Sequence, residues 1–148
     1  IMLKIYTDGS SRGNPGPGGY GIVMLYKGNR KELSQGYKLT TNNRMELTAV
    51  IKALQAIKNN NIEIIIYSDS KYVVESIEKG WVWNWEKNNF KKKQNIDLWK
   101  KFIPLYKSFK IKFIWVKGHA GIKENERCDE LANLAQSENL INDVGYKT

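Results

Sequence analysis

The chain has 148 residues, a length typical of a single domain with one hydrophobic core. Lysine and arginine outnumber aspartate and glutamate by 24 to 15, and the formal net charge of +9 favours an anionic partner, nucleic acid ahead of a membrane surface. No apolar run approaches the roughly 20 residues that span a bilayer, the N-terminus lacks a secretory signal pattern, and the one cysteine, Cys128, excludes an internal disulfide. We therefore expect one domain over 1–148 in a cytoplasmic, monomeric protein with no membrane partner.

The first third of the chain is predicted to form an antiparallel meander of three strands. Apolar and polar residues roughly alternate over 2–7, and a stretch rich in glycine, proline and serine follows as far as Gly19. Residues 20–26 and 32–39 have the composition of strands, and 27–30 between them contains the glycine and asparagine typical of a hairpin turn.

Helices and strands then alternate. Apolar residues at helical spacing predict a helix over 43–58, and the continuous apolar run over 62–67 predicts a strand buried on both faces. A short helix is expected around 73–77. A further helical pattern runs through 98–102, and Pro104 is expected to end or kink that helix.

The last third is predicted to contain a strand, a loop, a helix and a tail. The strand covers 111–116, the loop 117–121 and the helix 124–136, and the polar tail from Ser137 is expected to be loosely held. The elements follow the order βββαβαβα. This order predicts an α/β fold in which helices flank a five-stranded mixed sheet, an antiparallel meander followed by parallel strands.

A basic segment rich in tryptophan and lysine occupies about 80–101. The stretch 86–112 holds nine lysines against Glu86 and Asp97, and so contributes +7 of the formal +9. We expect this segment to be the main electrostatic contact with nucleic acid. Trp81 and Trp85 are four residues apart, which also fits a small hydrophobic cluster.

Two aspartates follow predicted strands directly. Asp8 and Asp69 each come after an apolar strand and before a small residue, and they meet if those two strands are neighbours in the sheet. Each also has a purely structural interpretation. Asp69 could N-cap the helix that follows it, and Asp8 could be an ordinary turn residue beside Gly9.

Two further acids are candidates only in combination with these. Glu46 lies three residues after Asn43, as in a capping box, and Asp129 lies early in its helix, where the macrodipole favours an acid. If all four converged, each pair would repel by a few kcal/mol, taking an effective dielectric of about 20 and a separation of about 4 Å. A divalent cation relieves such repulsion, and all-oxygen ligands select Mg²⁺ or Mn²⁺.

Sequence blocks spread in order over nearly the whole chain closely resemble bacterial ribonuclease HI, the type 1 ribonuclease H. They are YTDGS at 6–10, GNPGPGG at 13–19, TNNRMEL at 41–47, SDS at 68–70, WVKGHAG at 115–121 and ENERCDELA at 124–132. The resemblance implies the ribonuclease H-like fold. It also implies an endonuclease that hydrolyses the RNA strand of RNA/DNA hybrids, with a role in primer and hybrid removal.

The resemblance assigns the catalytic groups. It implies that Asp8, Glu46, Asp69 and Asp129 bind two Mg²⁺ ions, for which Mn²⁺ can substitute, and that water attacks in line to leave 5′-phosphate and 3′-hydroxyl ends. His119, the only histidine, would transfer a proton or help product release. A lone histidine is more often structural, but the flanking glycines indicate a mobile loop here.

Substrate contacts are expected at polar residues around the acids, which would sense the 2′-hydroxyls of RNA, and on the basic segment. They are Gly9, Ser10, Ser11, Asn14, Thr41, Asn42, Asn43, Ser70, Lys71, Trp81, Trp85, Lys87, Lys91, Lys92 and Lys93. Three features depart from the family pattern: Ser11 replaces a cysteine found in some relatives, Lys71 replaces a glutamine, and the loop between Trp85 and Trp99 looks shortened. We expect these departures to affect substrate affinity and not the acids.

Two alternative functions are open. A junction resolvase of the same fold would also need clustered acids and a basic surface, but the asparagines before Glu46 and the Gly-His-Ala-Gly loop argue against it. A non-catalytic protein that binds hybrids or RNA would keep the charge without the chemistry. Intact acids at all four positions argue against that interpretation.

Overall fold

A computed structural model, which describes residues 2–147, contains a five-stranded mixed sheet in the order β3-β2-β1-β4-β5. Strands β1, β2 and β3 form the antiparallel meander, and β4 and β5 run parallel to β1. The strand bounds are Met2–Ser11 for β1, Gly16–Tyr26 for β2, Asn29–Thr40 for β3, Glu63–Ser68 for β4 and Lys110–Trp115 for β5. The predicted α/β class and mixed sheet are confirmed.

The helices connect the parallel strands and follow the last one. Their bounds are Asn42–Gln55 for α1, Lys71–Glu78 for α2, Trp81–Lys87 for α3, Ile96–Lys107 for α4 and Lys123–Ala135 for α5. Three helices, α2, α3 and α4, therefore lie between β4 and β5. Within residues 2–147, no helix is both long and apolar enough to cross a membrane.

The sheet is covered on both faces, as strand alternation requires. In β2, Ile22 and Met24 belong to the main core together with Met45 of α1, whereas Val23 points to the other face. On that other face α5 packs against the sheet, with Cys128 and Ala132 fully buried. The main core extends into α4, where Trp99 and Phe102 are fully buried.

The first strand is longer than predicted. It continues through Asp8 to Ser11, because residues 8–11 pair with 18–21 of β2 after the parallel pairing with β4 ends at Thr7. Glycine-rich residues that we expected to form a loop therefore form the start of β2. Asp8 lies within a strand and not at its end.

Two other expectations concern Pro104 and the tail. Of the two outcomes expected at Pro104, an end or a kink of the helix, the end is wrong, because α4 continues to Lys107 with the exposed proline in its last turn. The tail is not loosely held. Ile141 forms two backbone hydrogen bonds with β3, to Gly36 and Lys38, at 3.0 and 2.8 Å.

Helix α5 lies directly on the backbone of β2. A Cβ atom placed at Gly21 would overlap the carbonyl of Cys128 and would lie 2.7 Å from the Cβ of Leu131. The absence of a side chain at Gly21 therefore sets how closely α5, which carries Asp129, approaches the sheet.

Replacing Gly21 with alanine should reduce the free energy of unfolding by about 1–3 kcal/mol, because the added methyl group must push α5 away from β2. Urea unfolding monitored by circular dichroism measures this change. The matched control is Ser34→Ala, because Ser34 pairs with Gly21 across the sheet and is exposed. Equal stability of both variants would show that α5 can move without cost.

Candidate active site

Three of the predicted acids meet in one cluster. Carboxylate oxygens of Asp8, Glu46 and Asp69 lie within 4.8 Å of one another. The parallel register of β1 and β4 pairs Thr7 with Ser68, which brings the next residue of each chain segment, Asp8 and Asp69, to adjacent positions. Glu46 comes from α1, which packs on β1 and β2.

Helix caps do not account for the two acids that were candidates for capping. The N-cap of α1 is Thr41, whose hydroxyl accepts a hydrogen bond from the Arg44 N–H at 3.2 Å, so Glu46 is not part of a capping box. The N-cap of α2 is Ser70, whose hydroxyl accepts from the Val73 N–H at 3.2 Å, and not Asp69.

The structural interpretations of the other two acids are also wrong. Asp8 is a strand residue and not a turn residue. Asp129 lies beyond the first turn of α5, where Glu124 and Glu126 are the acids close to the positive end of the helix dipole. All four carboxylates are therefore available for another role.

Burial and mutual repulsion make the cluster unfavourable as three anions. Burial first, and then the neighbouring Asp69 and Asp129 carboxylates, raise the pKa of Asp8 from 3.8 to about 8. Burial, followed by repulsion from Asp8 and Asp69, raises the pKa of Glu46 well above its ordinary value. Within residues 2–147, none of the three carboxylates forms an ion pair with lysine or arginine.

The donor set fits a hard divalent cation. Oε1 of Glu46 is inaccessible to solvent and has no hydrogen-bond partner among the described residues. A buried acceptor without a donor is costly, and a cation would satisfy it. Three carboxylates from three different elements supply oxygen ligands only, as Mg²⁺ and Mn²⁺ prefer.

Asp129 and His119 lie beside this cluster. Asp129 adds to the repulsion that raises the pKa of Asp8, but it is outside the group of three. It lines an open cavity of about 670 Å³ together with His119. His119 is exposed in its loop with φ +55°, and the preceding Gly118 lies against Asp69, since a Cβ there would be 2.9 Å from Oδ2.

A contact near Asp69 was not predicted. The indole N–H of Trp115 donates to the Asp69 carbonyl at 3.0 Å, and the ammonium of Lys71 lies 5.2 Å from the centre of the same indole ring. Trp115 thus links the end of β5 to the residue after β4. Its position at the start of the WVKGHAG block was the only sequence signal for this contact.

Polar residues predicted to contact substrate form a connected group beside the cluster. Asn42 Oδ1 accepts from the Ser11 N–H at 2.6 Å, and the Asn42 N–H donates to Asn14 Oδ1 at 3.2 Å. Gly9 packs against the backbone of α1 at Glu46. The Ser10 hydroxyl instead accepts a hydrogen bond from Gln136 and donates to Asn133, so its side chain faces α5.

Most of the remaining residues that were predicted to contact substrate line one of two clefts. Asn14, Thr41, Asn43 and Lys93 line a cleft of about 630 Å³. The second cleft, about 360 Å³, is next to it, and the predicted residues that line it are Lys71, Trp81, Trp85, Lys92 and Lys93. Lys93 lines both clefts.

The lysines and tryptophans of the basic segment differ in exposure. Lys87 and Lys91 are exposed on the same segment, outside the linings of the two clefts. Trp81 is 42% exposed, whereas Trp85 packs edge-on against the buried Trp99 at 5.8 Å. The predicted hydrophobic cluster therefore includes Trp85 and leaves Trp81 at the surface.

Comparison with known proteins identifies the family. The family model described as RNase H matches residues 2–137. The chain belongs to the RNase H family. It is 52% identical to a ribonuclease H of Desulforamulus reducens over 96% of this chain and 92% of that protein, and 50% identical to one of Klebsiella pneumoniae over 98% and 96%.

Solved RNase H structures share the fold. LC9-RNase H1, a type 1 RNase H with the type 2 active-site motif, matches with a TM-score of 0.82 and 31% identity, over 92% of this chain and 72% of that one. LC11-RNase H1, solved in complex with an RNA/DNA hybrid, matches with a TM-score of 0.70 and 29% identity, over 92% and 97%. As an RNase H, the chain is a metal-dependent endoribonuclease, a hydrolase.

The raised pKa of Asp8 predicts how the stability of this RNase H depends on pH without metal. Between about pH 4 and pH 8 the folded protein keeps a proton that the unfolded chain has released, so the free energy of unfolding falls as the pH rises through this window. In EDTA at pH 8, Asp8→Asn should raise the free energy of unfolding by on the order of 2 kcal/mol, and the gain should disappear near pH 4.

Urea unfolding in EDTA from pH 4 to pH 8.5 measures this gain. Glu63→Gln is the matched control, because Glu63 is an exposed acid at the opposite end of β4. A gain of equal size at every pH would show that the effect does not come from ionisation of the cluster.

Proposed function

We propose that the chain cuts the RNA strand of RNA/DNA hybrids with two Mg²⁺ ions held by Asp8, Glu46, Asp69 and Asp129, and leaves 5′-phosphate and 3′-hydroxyl ends. The proposal rests on the cluster of buried and half-buried carboxylates, which repel one another and have no basic partner within residues 2–147. Such a cluster costs free energy in the folded protein, and cation binding recovers it.

The roles of the acids follow from their positions. Asp8, Glu46 and Asp69 face one another and would share the ions, and Asp129, beside them on α5, would complete the ligand set. Bound Mg²⁺ would supply the activation of water and the stabilisation of the leaving oxygen that phosphodiester hydrolysis needs. The rigid strands β1 and β4 keep the carboxylates fixed before the substrate arrives.

His119 is suited to moving a proton at the edge of the site. Its exposed loop lies against Asp69 through Gly118, and it lines the same open cavity as Asp129. An imidazole in such a position can take a proton from, or return one to, solvent on each catalytic cycle.

Recognition of the hybrid would use two surfaces. Asn42 and Asn43 lie on α1 within four residues of Glu46, Asn14 accepts a hydrogen bond from Asn42, and the amides of these residues can sense 2′-hydroxyls in a minor groove. The exposed lysines of α3 and the segment after it lie farther along the chain and would bind phosphates without reading sequence.

The first test is cleavage of an end-labelled RNA/DNA hybrid, with duplex DNA, duplex RNA and single-stranded RNA in parallel, each with Mg²⁺ and with EDTA. We expect cleavage only of the RNA strand of the hybrid and only with Mg²⁺. Cutting of branched duplex DNA would instead favour the resolvase, and binding without cleavage would favour the non-catalytic protein.

Asp69→Asn should reduce hybrid cleavage by on the order of 10³-fold, because one charged ligand of the ions is lost. Hybrid affinity in EDTA, measured by fluorescence anisotropy, should stay within about twofold of the wild type, because the substitution removes only one negative charge that faces the phosphates. Glu63→Gln serves again as the control and should keep full activity. Equal losses of affinity and cleavage would mean that Asp69 is structural.

A further inference from the structure

Arg44 is a buried cation at the junction of three parts of the chain. Its side chain is 2% exposed, near the start of α1 and two residues before Glu46. Nη1 and Nη2 bond both carboxylate oxygens of Asp97, at 2.8 and 2.7 Å. Nε and Nη2 bond both oxygens of Asp143, at 2.7 and 3.0 Å. Asp97 lies in the first turn of α4, and Asp143 lies in the C-terminal tail.

The hydrogen-bonding capacity of Arg44 is fully used. A guanidinium has five N–H donors, four of which bond the two carboxylates. The fifth points to Oδ1 of Asn95 at 3.5 Å. No donor is left for a phosphate. An arginine beside a nucleic-acid cleft would ordinarily be taken as a phosphate ligand, but here it is a positioning residue.

The tail from 141 to 147 is held at this junction by several contacts. Ile141 pairs with β3, and Asp143 Oδ2 also accepts from the Thr40 hydroxyl at 2.7 Å. The Tyr146 ring lies 5.6 Å from the guanidinium carbon of Arg44. Gly145 packs so closely on Asp97 that a Cβ there would overlap its carboxylate.

These contacts join the walls of the 630 Å³ cleft. One wall is the start of α1 with Asn43, and the second is the end of the basic segment with Lys93. The tail forms a third wall through Gly145, Tyr146 and Lys147. Arg44 lies on α1 and bonds Asp97 of α4 and Asp143 of the tail. These ion pairs therefore fix the separation of α1 and α4.

We propose that the ion-pair cluster of Arg44, Asp97 and Asp143 sets the geometry of the hybrid-binding cleft, and that the tail residues Gly145, Tyr146 and Lys147 form part of that cleft. This inference rests on the proposed function, because it assigns the cleft to the hybrid. The tail then acts in substrate binding, beyond its contribution to stability.

Two substitutions test the cluster by independent routes. Asp143→Asn removes one charge from Arg44, and Gly145→Ala pushes the Asp97 carboxylate away from the guanidinium. The matched control is Val144→Ala, because Val144 lies between them and is 92% exposed. A displacement of about 1 Å in a positioning contact can reduce activity by about 100-fold.

We expect Asp143→Asn and Gly145→Ala to weaken hybrid binding roughly tenfold, both as Kd in EDTA and as KM with Mg²⁺, with kcat within about twofold of the wild type. Asp143→Glu, which keeps the charge, should recover part of the affinity, and Val144→Ala should change nothing. All assays are run below the unfolding temperature of every variant, which circular dichroism establishes first.

Unchanged Kd and KM in folded but less stable variants would overturn the proposal and leave the tail a structural role only. A fall in kcat with unchanged KM would also overturn it, because the cluster would then act on Glu46. The Kd comparison decides the proposal even if the wild type binds hybrid without cutting it, which would contradict the proposed function alone.

Discussion

The fold holds together three carboxylates that repel one another. Carboxylate oxygens of Asp8, Glu46 and Asp69 lie within 4.8 Å of one another, and no basic residue of the described chain forms an ion pair with them. A chain that keeps such an arrangement needs a rigid frame, since a flexible one would relax by moving the acids apart. The frame is the parallel pairing of β1 with β4 and the packing of α1 on the sheet.

Among residues 2–147 no lysine or arginine forms an ion pair with that cluster, although Lys71 lies two residues from Asp69. Exposed lysines on α3 and the segment that follows can contact phosphates while the three acids stay unpaired. If a lysine had been paired with Asp69, the repulsion would be relieved without a metal, and the site would lose its affinity for divalent ions. Acids that form no ion pair with a basic side chain thus favour metal binding at this site.

Arg44 shows the opposite use of charge two residues from Glu46. Its guanidinium is more deeply buried than Glu46 and Asp69, but every donor is matched by an acceptor. A buried ion pair with complete hydrogen bonding fixes orientation more than it adds stability, and removing one partner is costly. The same helix therefore carries a guanidinium with all its hydrogen bonds made, which positions the helix, and a Glu46 carboxyl oxygen without a partner, which is suited to a ligand.

Local patterns and motif blocks predicted the class of fold, the order of helices and strands along the chain, and the family. Period-2 and helical patterns act over short stretches, so they fix local structure, and the motif blocks at 6–10, 41–47, 68–70 and 115–121 are specific as a set. The sequence did not determine that β1 passes through Asp8, because antiparallel pairing with glycines of β2 extends that strand. Nor did it distinguish the acids from helix caps, since Thr41 and Ser70 were equally suitable caps.

Contacts between segments that are distant in the chain could not be predicted from local sequence patterns. The polar composition of 137–147 indicated a loose tail, but Asp143 finds its partner about 100 residues earlier in Arg44, and no local pattern encodes that contact. The link from Trp115 to Asp69 and the close packing of α5 on Gly21 are contacts of the same kind. They depend on where the sheet places residues far apart in the chain, which is a property of the whole fold.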